Sequence, residues 1–204
     1  MSNIDVEVYK YDKIHYYKNV ISNPSKLIDV IESTDSYLDE HTSITKWKKW
    51  SASNDEYVFG EQKWVLGNMD NETDNLLLFI NKEIKDVINE YSTRYAEEHK
   101  IELGYLTPLS ISKYYMGKGM GPHVDSYDNN DNGKDQISPT LSIVVYLNDD
   151  YEGGELYFKN QRVTIKPSAG SMVIFPSNMP YLHESKIIKR GTKYMSPGFW
   201  YKKL

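Results

Sequence analysis

The chain has 204 residues, 39% of them hydrophobic and 26% charged, which suits one soluble globular domain with a sizeable core. Its formal net charge of -5 argues against a protein whose main task is to grip a phosphate backbone. There is no cysteine, so disulfides, zinc-thiolate sites, cysteine-ligated clusters and cysteine nucleophiles are excluded, and histidine and carboxylate remain as side-chain metal ligands.

In chain order, the N-terminal segment from Met1 to Glu7 lacks the apolar centre of a signal peptide. No later stretch approaches the roughly 18 apolar residues of a membrane span, so a cytoplasmic protein without membrane contact is expected. Asn23-Pro24-Ser25 opens a short helix, with a capping residue before a proline at the first helical position, and Leu27, Ile28 and Ile31 form its apolar stripe. Trp47 and Trp50 are spaced to share one face of a further helix, where core packing is the expected role. The strongest helix is predicted from Glu72 to Glu98. Leu77, Ile80, Ile84, Val87, Ile88, Tyr91 and Tyr95 recur there at mostly three- and four-residue steps.

After Pro108 the period changes to two. Leu109, Ile111 and Lys113 alternate with Ser110, Ser112 and Tyr114, as on a strand. Further strands are predicted over Thr140 to Leu147, Glu155 to Phe158, Gln161 to Ile165, Ser171 to Phe175, Tyr181 to Ser185 and Thr192 to Tyr201. Short strands at this spacing point to a sandwich or jelly roll. The expected fold is therefore α+β, a single domain over residues 1-204, with 1-107 mainly helical support and 108-204 a β-core. Lys186, Lys189 and Arg190 are read as a solvated strand edge.

His123-Val124-Asp125 is the first chemical signal. Alternate residues on a strand share a face, so one imidazole and one carboxylate can enter one cavity. His15 and His41 lie outside the strand-rich half, and His99 ends the long helix. His183, on a late strand, is the best third donor. Two histidines and one carboxylate form a facial triad with open positions, which an oxygen-activating Fe(II) site needs. Ser142 and Tyr146, four apart on one strand, share a face and offer hydroxyls.

Several ordered pieces extend this pattern. They are Tyr115-Met116-Gly117, Pro122-His123-Val124-Asp125, Tyr146-Leu147-Asn148, Glu152-Gly153-Gly154-Glu155, Lys166-Pro167-Ser168-Ala169-Gly170 with Phe175-Pro176, His183, and Gly191-Thr192-Lys193-Tyr194. In this order, over about Leu109 to Tyr201, the chain resembles the prolyl 4-hydroxylase-like 2-oxoglutarate/Fe(II) dioxygenases. The resemblance implies a double-stranded β-helix core supported by N-terminal helices, with iron on His123, Asp125 and His183. It implies that Lys193 pairs with the C5 carboxylate of 2-oxoglutarate and that Tyr115 and Tyr146 help hold it. Thr192 is a further hydroxyl candidate, and Ser142 stands where many members have threonine. Tyr114 competes with Tyr115, which is preferred for its spacing to Gly117. The implied cofactors are Fe(II), 2-oxoglutarate and O2, with ascorbate as reductant. The implied reaction hydroxylates a substrate carbon, first of all in a prolyl residue of a peptide or protein. A free amino acid or small metabolite is the alternative substrate, and a non-catalytic ligand-binding jelly roll the alternative class. Nucleic acid is disfavoured by the acidic balance.

Asp128-Asn129-Asn130-Asp131-Asn132-Gly133 resembles the start of a calcium loop, but Pro139 stands where that loop would end in glutamate. A loop beside the iron site that closes over substrate is the expected reading.

Overall fold

The computed structural model describes residues 6–33, 47–51, 58–64, 72–126 and 138–203. The Asp128–Gly133 loop lies outside the described residues.

Two helices are found among the described residues, α1 (Pro24–Ser33) and α2 (Glu72–His99). The three- and four-residue stripe of α2 becomes its buried face, with Ile80, Ile84, Ile88, Tyr91 and Tyr95 packed into the core. Its end follows from backbone geometry. Lys100 adopts a left-handed φ of 55°, and the Ile101 N–H reaches back to the Ala96 carbonyl at 2.9 Å, closing a Schellman-type cap at His99.

Residues 1–107 also supply strands, which the helical expectation for this half lacked. β1 (Glu7–Tyr11) and β2 (Ile14–Lys18) form a hairpin, and β3 (Lys48–Ser51) and β4 (Val58–Trp64) form another. The run from Lys48 is therefore extended, not helical. Trp47 still packs against the core, with Lys113 Nζ 3.8 Å from its ring centre.

The remaining strands are β5 (Tyr105–Leu106), β6 (Ser110–Tyr115), β7 (Met120–His123), β8 (Pro139–Tyr146), β9 (Glu152–Gly153), β10 (Leu156–Phe158), β11 (Val163–Ile165), β12 (Ser171–Pro176), β13 (His183–Ser185), β14 (Ile188–Arg190) and β15 (Thr192–Tyr201). The major sheet runs β1-β2-β12-β8-β15-β6-β4-β3, with β5 beside β15. A four-stranded minor sheet runs β11-β10-β13-β7, and β14 pairs with β9. All these pairings are antiparallel. The result is a double-stranded β-helix, a jelly roll whose major sheet is supported by helices.

Both faces of the major sheet are covered. The α-helices pack on one side against Ile111, Ile143, Val145, Met172 and Ile174. On the other, Tyr114, Tyr146, Val173 and Phe175 meet Leu156, Phe158 and Ile165 of the minor sheet. Alternation in a half-buried strand ordinarily separates core from solvent. Here Ser110, Ser112 and Tyr114 of β6 are as buried as Ile111, because their face looks between the sheets.

Candidate metal centre and cosubstrate pocket

The strand register brings the two histidines together. His183 of β13 pairs directly with His123 of β7, so both rings project on the same side, with centres 4.3 Å apart. Asp125 follows just beyond β7, and its position is set by the backbone, since the Asp125 and Ser126 N–H groups both donate to the Ser177 carbonyl at 3.0 Å. Asp125 Oδ1 lies 3.4 Å from His123 Nε2, and Oδ2 lies 3.5 Å from His183 Nε2. One donor atom from each of the three residues falls within 4.8 Å of the others. Donors bound about 2.1 Å from one first-row metal ion stand roughly 3.0 Å apart at right angles and roughly 3.4 Å apart at tetrahedral angles, so small side-chain adjustments would bring all three onto one ion.

The tautomers suit a metal. His123 Nδ1 lies 2.8 Å from the Gly121 carbonyl and His183 Nδ1 lies 3.0 Å from the Tyr181 carbonyl. A carbonyl can only accept, so each Nδ1 carries hydrogen, and Nε2 of each ring, facing Asp125, is the atom left for a metal. Burial pushes the Asp125 carboxyl upward, but hydrogen bonding to His123, the His183 charge and Ser142 hold it below the usual carboxylate range. Burial also works against charge on His123, where Asp125 and the Gly121 carbonyl outweigh it and raise the pKa. At His183 burial wins and lowers it. Phe158 and Phe175 form the apolar wall against that ring, at centre distances of 5.7 and 4.7 Å.

The triad lines a cavity of about 310 Å³ that also receives Lys193, Tyr114 and Tyr146. Lys193 is almost fully buried, and its Nζ donates to the Gly154 carbonyl at 2.7 Å and to Ser185 Oγ at 3.1 Å. The Tyr146 and Tyr114 rings lie 5.0 and 5.7 Å from Nζ. Burial pulls the Lys193 pKa down to about 7, partly opposed by the charge of Glu155. The Gly153-Gly154 pair has a physical reason. Both residues have positive φ (79° and 68°), and a Cβ on Gly154 would come within 3.3 Å of the Lys193 stem and collide with Ile188.

Ser185 stands two residues beyond His183 on β13, which sets Lys193 Nζ roughly 6–7 Å of strand from the triad. A short dicarboxylate can bridge that interval, with one end on the metal and the other on the ammonium group.

Three sequence-based assignments need correction. Tyr115 faces away from the cavity, donates its hydroxyl to Glu61 and is replaced at the pocket by its neighbour Tyr114. The Gly117 spacing could not decide between adjacent residues that point to opposite faces. Thr192 alternates with Lys193 on β15 and is not among the cavity-lining residues; its carbonyl accepts from Asn148 Nδ2 at 2.7 Å. Ser142 does line the cavity, but its hydroxyl donates to Asp125 Oδ2 at 2.5 Å and shares a 2.8 Å hydrogen bond with Ser177 Oγ. It orients a metal-ligand candidate instead of greeting the cosubstrate. Ser185 could have been found from its two-residue step after His183. Ser177 carries no local signal.

Ser142→Ala is expected to weaken Fe(II) binding by about 10- to 100-fold while leaving the fold intact, as loss of an outer-sphere partner does. Anaerobic Fe(II) titration checks this, and unchanged affinity would assign the Ser142 hydroxyl no orienting role. Tyr114→Phe is expected to raise the KM for 2-oxoglutarate by about 10-fold, and Tyr115→Phe to change it less than about twofold.

Two histidines, one carboxylate and a buried cation, set between the sheets of a jelly roll, are the layout of an oxygen-activating non-haem iron site. Residues 109–202 match the family model of the 2OG-Fe(II) oxygenase superfamily. Its members use Fe(II), 2-oxoglutarate and O2. A PKHD-type hydroxylase of Psychrobacter sp. (strain PRwf-1) is 34% identical over 93 residues, covering 43% of this chain and 35% of the relative. The chain thus spans about a third of that relative's length in the matched region. A viral collagen prolyl hydroxylase from Paramecium bursaria Chlorella virus-1, in complex with 2OG, shares the fold at a TM-score of 0.67 and 18% identity, over 96% of this chain and 97% of that one. A Trichoplax adhaerens prolyl hydroxylase bound to a hypoxia inducible factor peptide fragment does so at 0.66 and 16% identity, over 94% and 84% of the two chains. Among the described residues, no helix is long and apolar enough to cross a membrane.

Proposed function

We propose that this chain is a 2-oxoglutarate- and Fe(II)-dependent dioxygenase that hydroxylates a prolyl residue in a peptide or protein. The observation that carries the chemistry is the convergence of His123, Asp125 and His183 beside the buried ammonium of Lys193 in one cavity. The named activities of the similar proteins support the substrate class. The cavity continues past the triad along Pro108, Pro197, Phe199 and Tyr201, an apolar flank suited to a pyrrolidine ring.

When bound, Fe(II) with 2-oxoglutarate supplies oxygen activation, and the balanced reaction turns substrate C–H, 2-oxoglutarate and O2 into C–OH, succinate and CO2. The chain's own residues do the rest. His123, Asp125 and His183 would hold the metal. Ser142 fixes the Asp125 carboxylate, so that ligand does not swing when the cosubstrate enters. Lys193 takes the far carboxylate, and Tyr114 and Tyr146 wall the ammonium off from water. The Phe158 and Phe175 rings keep the His183 side of the centre dry.

Mass spectrometry of proline-containing peptides incubated with enzyme, Fe(II), 2-oxoglutarate, O2 and ascorbate tests this. The expected result is a gain of one oxygen on proline, matched by succinate. Oxygen gain on free amino acids with none on any peptide would overturn the peptide assignment. Metal binding without succinate across peptides and metabolites would overturn the enzyme.

A further inference from the structure

Across the major sheet from the cavity, a second group of donors gathers where β2 meets the end of α2. His15 Nε2 and His99 Nε2 point at each other from 3.1 Å, and Glu98 Oε1 lies 3.9 Å from His15 Nε2. One donor atom each from His15, Glu98 and His99 falls within 4.8 Å of the others, which matches the clustering of the candidate iron ligands. We propose that His15, Glu98 and His99 form a second binding site, for a borderline divalent transition-metal ion of the zinc type, that clamps β2 to the C-terminal end of α2.

The donor chemistry is two imidazole nitrogens and one carboxylate oxygen, the set that such ions prefer when no thiolate is present. Nitrogens 3.1 Å apart subtend roughly 95° at an ion about 2.1 Å from each, an ordinary coordination angle. Glu98 must close in by a few tenths of an ångström, and it is partly exposed with freedom to do so. Its other oxygen, Oε2, is already held by Lys10 Nζ at 2.5 Å, which leaves Oε1 toward the rings.

The surroundings orient the imidazoles. His15 is fully buried, and its Nδ1 lies 3.1 Å from the Tyr17 hydroxyl, the outer-sphere contact that directs Nε2 at a metal. Tyr95 packs against both rings, at centre distances of 4.7 Å to His15 and 4.4 Å to His99. The cap at Lys100 fixes His99 as the last helical residue, where the helix dipole favours a cation. Lys10 is the opposing charge, and it pairs with Glu98 at the rim. In the absence of metal, the short imidazole contact is a hydrogen bond between the two rings.

The test uses tag-free, chelator-treated protein titrated calorimetrically with Zn2+. A His123→Ala/His183→Ala variant disables the candidate iron site and is expected still to bind one Zn2+, with a rise in Tm. Adding His99→Gln should abolish both signals. Adding Glu98→Gln, at an exposed position that the fold tolerates, should weaken binding by at least about 10-fold. The proposal is overturned if the His123→Ala/His183→Ala variant takes up no Zn2+. It is equally overturned if Zn2+ affinity survives His99→Gln or Glu98→Gln unchanged, with circular dichroism confirming the fold. Neither result depends on the catalytic assignment.

Discussion

Replacing His183 with alanine will reduce succinate formation to background and weaken Fe(II) binding by at least about 100-fold, more than loss of an outer-sphere partner does. The reason is geometric. His183 and His123 are a directly paired couple on β13 and β7, and Asp125 reaches both imidazoles at 3.4–3.5 Å. Removing His183 leaves two donors, one of them a carboxylate already bonded to Ser142. Because the ring is buried against Phe158 and Phe175, the truncation also leaves a void, at a stability cost of about 1–3 kcal/mol. His183→Gln, which fills that space, separates packing from ligation and should be equally inactive. His123→Ala and Asp125→Ala should behave alike. Turnover in His183→Ala above a few per cent of wild type would remove this residue from the metal centre. Anaerobic Fe(II) titration and succinate assays make the measurement.

Replacing Lys193 with methionine will have opposite effects on binding and stability. The ammonium group is buried, and among the described residues its hydrogen-bond partners are the Gly154 carbonyl and Ser185 Oγ, neither of them a carboxylate. Removing one member of a buried charge pair costs about 2–5 kcal/mol of binding, so 2-oxoglutarate affinity should fall roughly 30-fold to several thousandfold. The cosubstrate-free protein should be stabilised, by something on the order of 1–4 kcal/mol, because a well-packed apolar side chain replaces a desolvated charge.

The sign with pH follows from the depressed pKa of about 7. The unfolded lysine titrates near 10.4, so the wild-type penalty is complete below pH 7 and fades as pH rises toward that value. The Tm advantage of Lys193→Met should therefore shrink above neutrality. Cosubstrate binding by wild type needs the protonated amine, so its affinity should be flat below about pH 7 and fall by up to about tenfold per unit above it. A Lys193→Met variant with unchanged cosubstrate affinity would assign the far carboxylate to another cation.

Much of this was legible in the chain. The α2 stripe from Ile80 to Tyr95 reads at helical period, and the observed helix ends within one residue of expectation, at His99. Most strands from Pro139 onward overlap the predicted spans, but β9 falls on the Glu152-Gly153-Gly154 turn signal and β14 was not among the predicted strands. The N-terminal hairpins were less visible. β1 places Val8, Tyr9 and Tyr11 at an exposed sheet edge, so it lacks the buried face that gives a strand its alternation.

By itself the sequence determined the donor types and their order, because the ordered motifs are local properties. It thereby specified the triad candidates, and the family resemblance added Lys193, whose burial only the structure showed. Only tertiary structure decided which of two adjacent tyrosines enters the cavity, that Ser142 serves Asp125, and that His15 meets His99 across 84 positions of chain. Those outcomes depend on the register between strands and on how α2 docks against the sheet, and neither is encoded within the reach of any one segment.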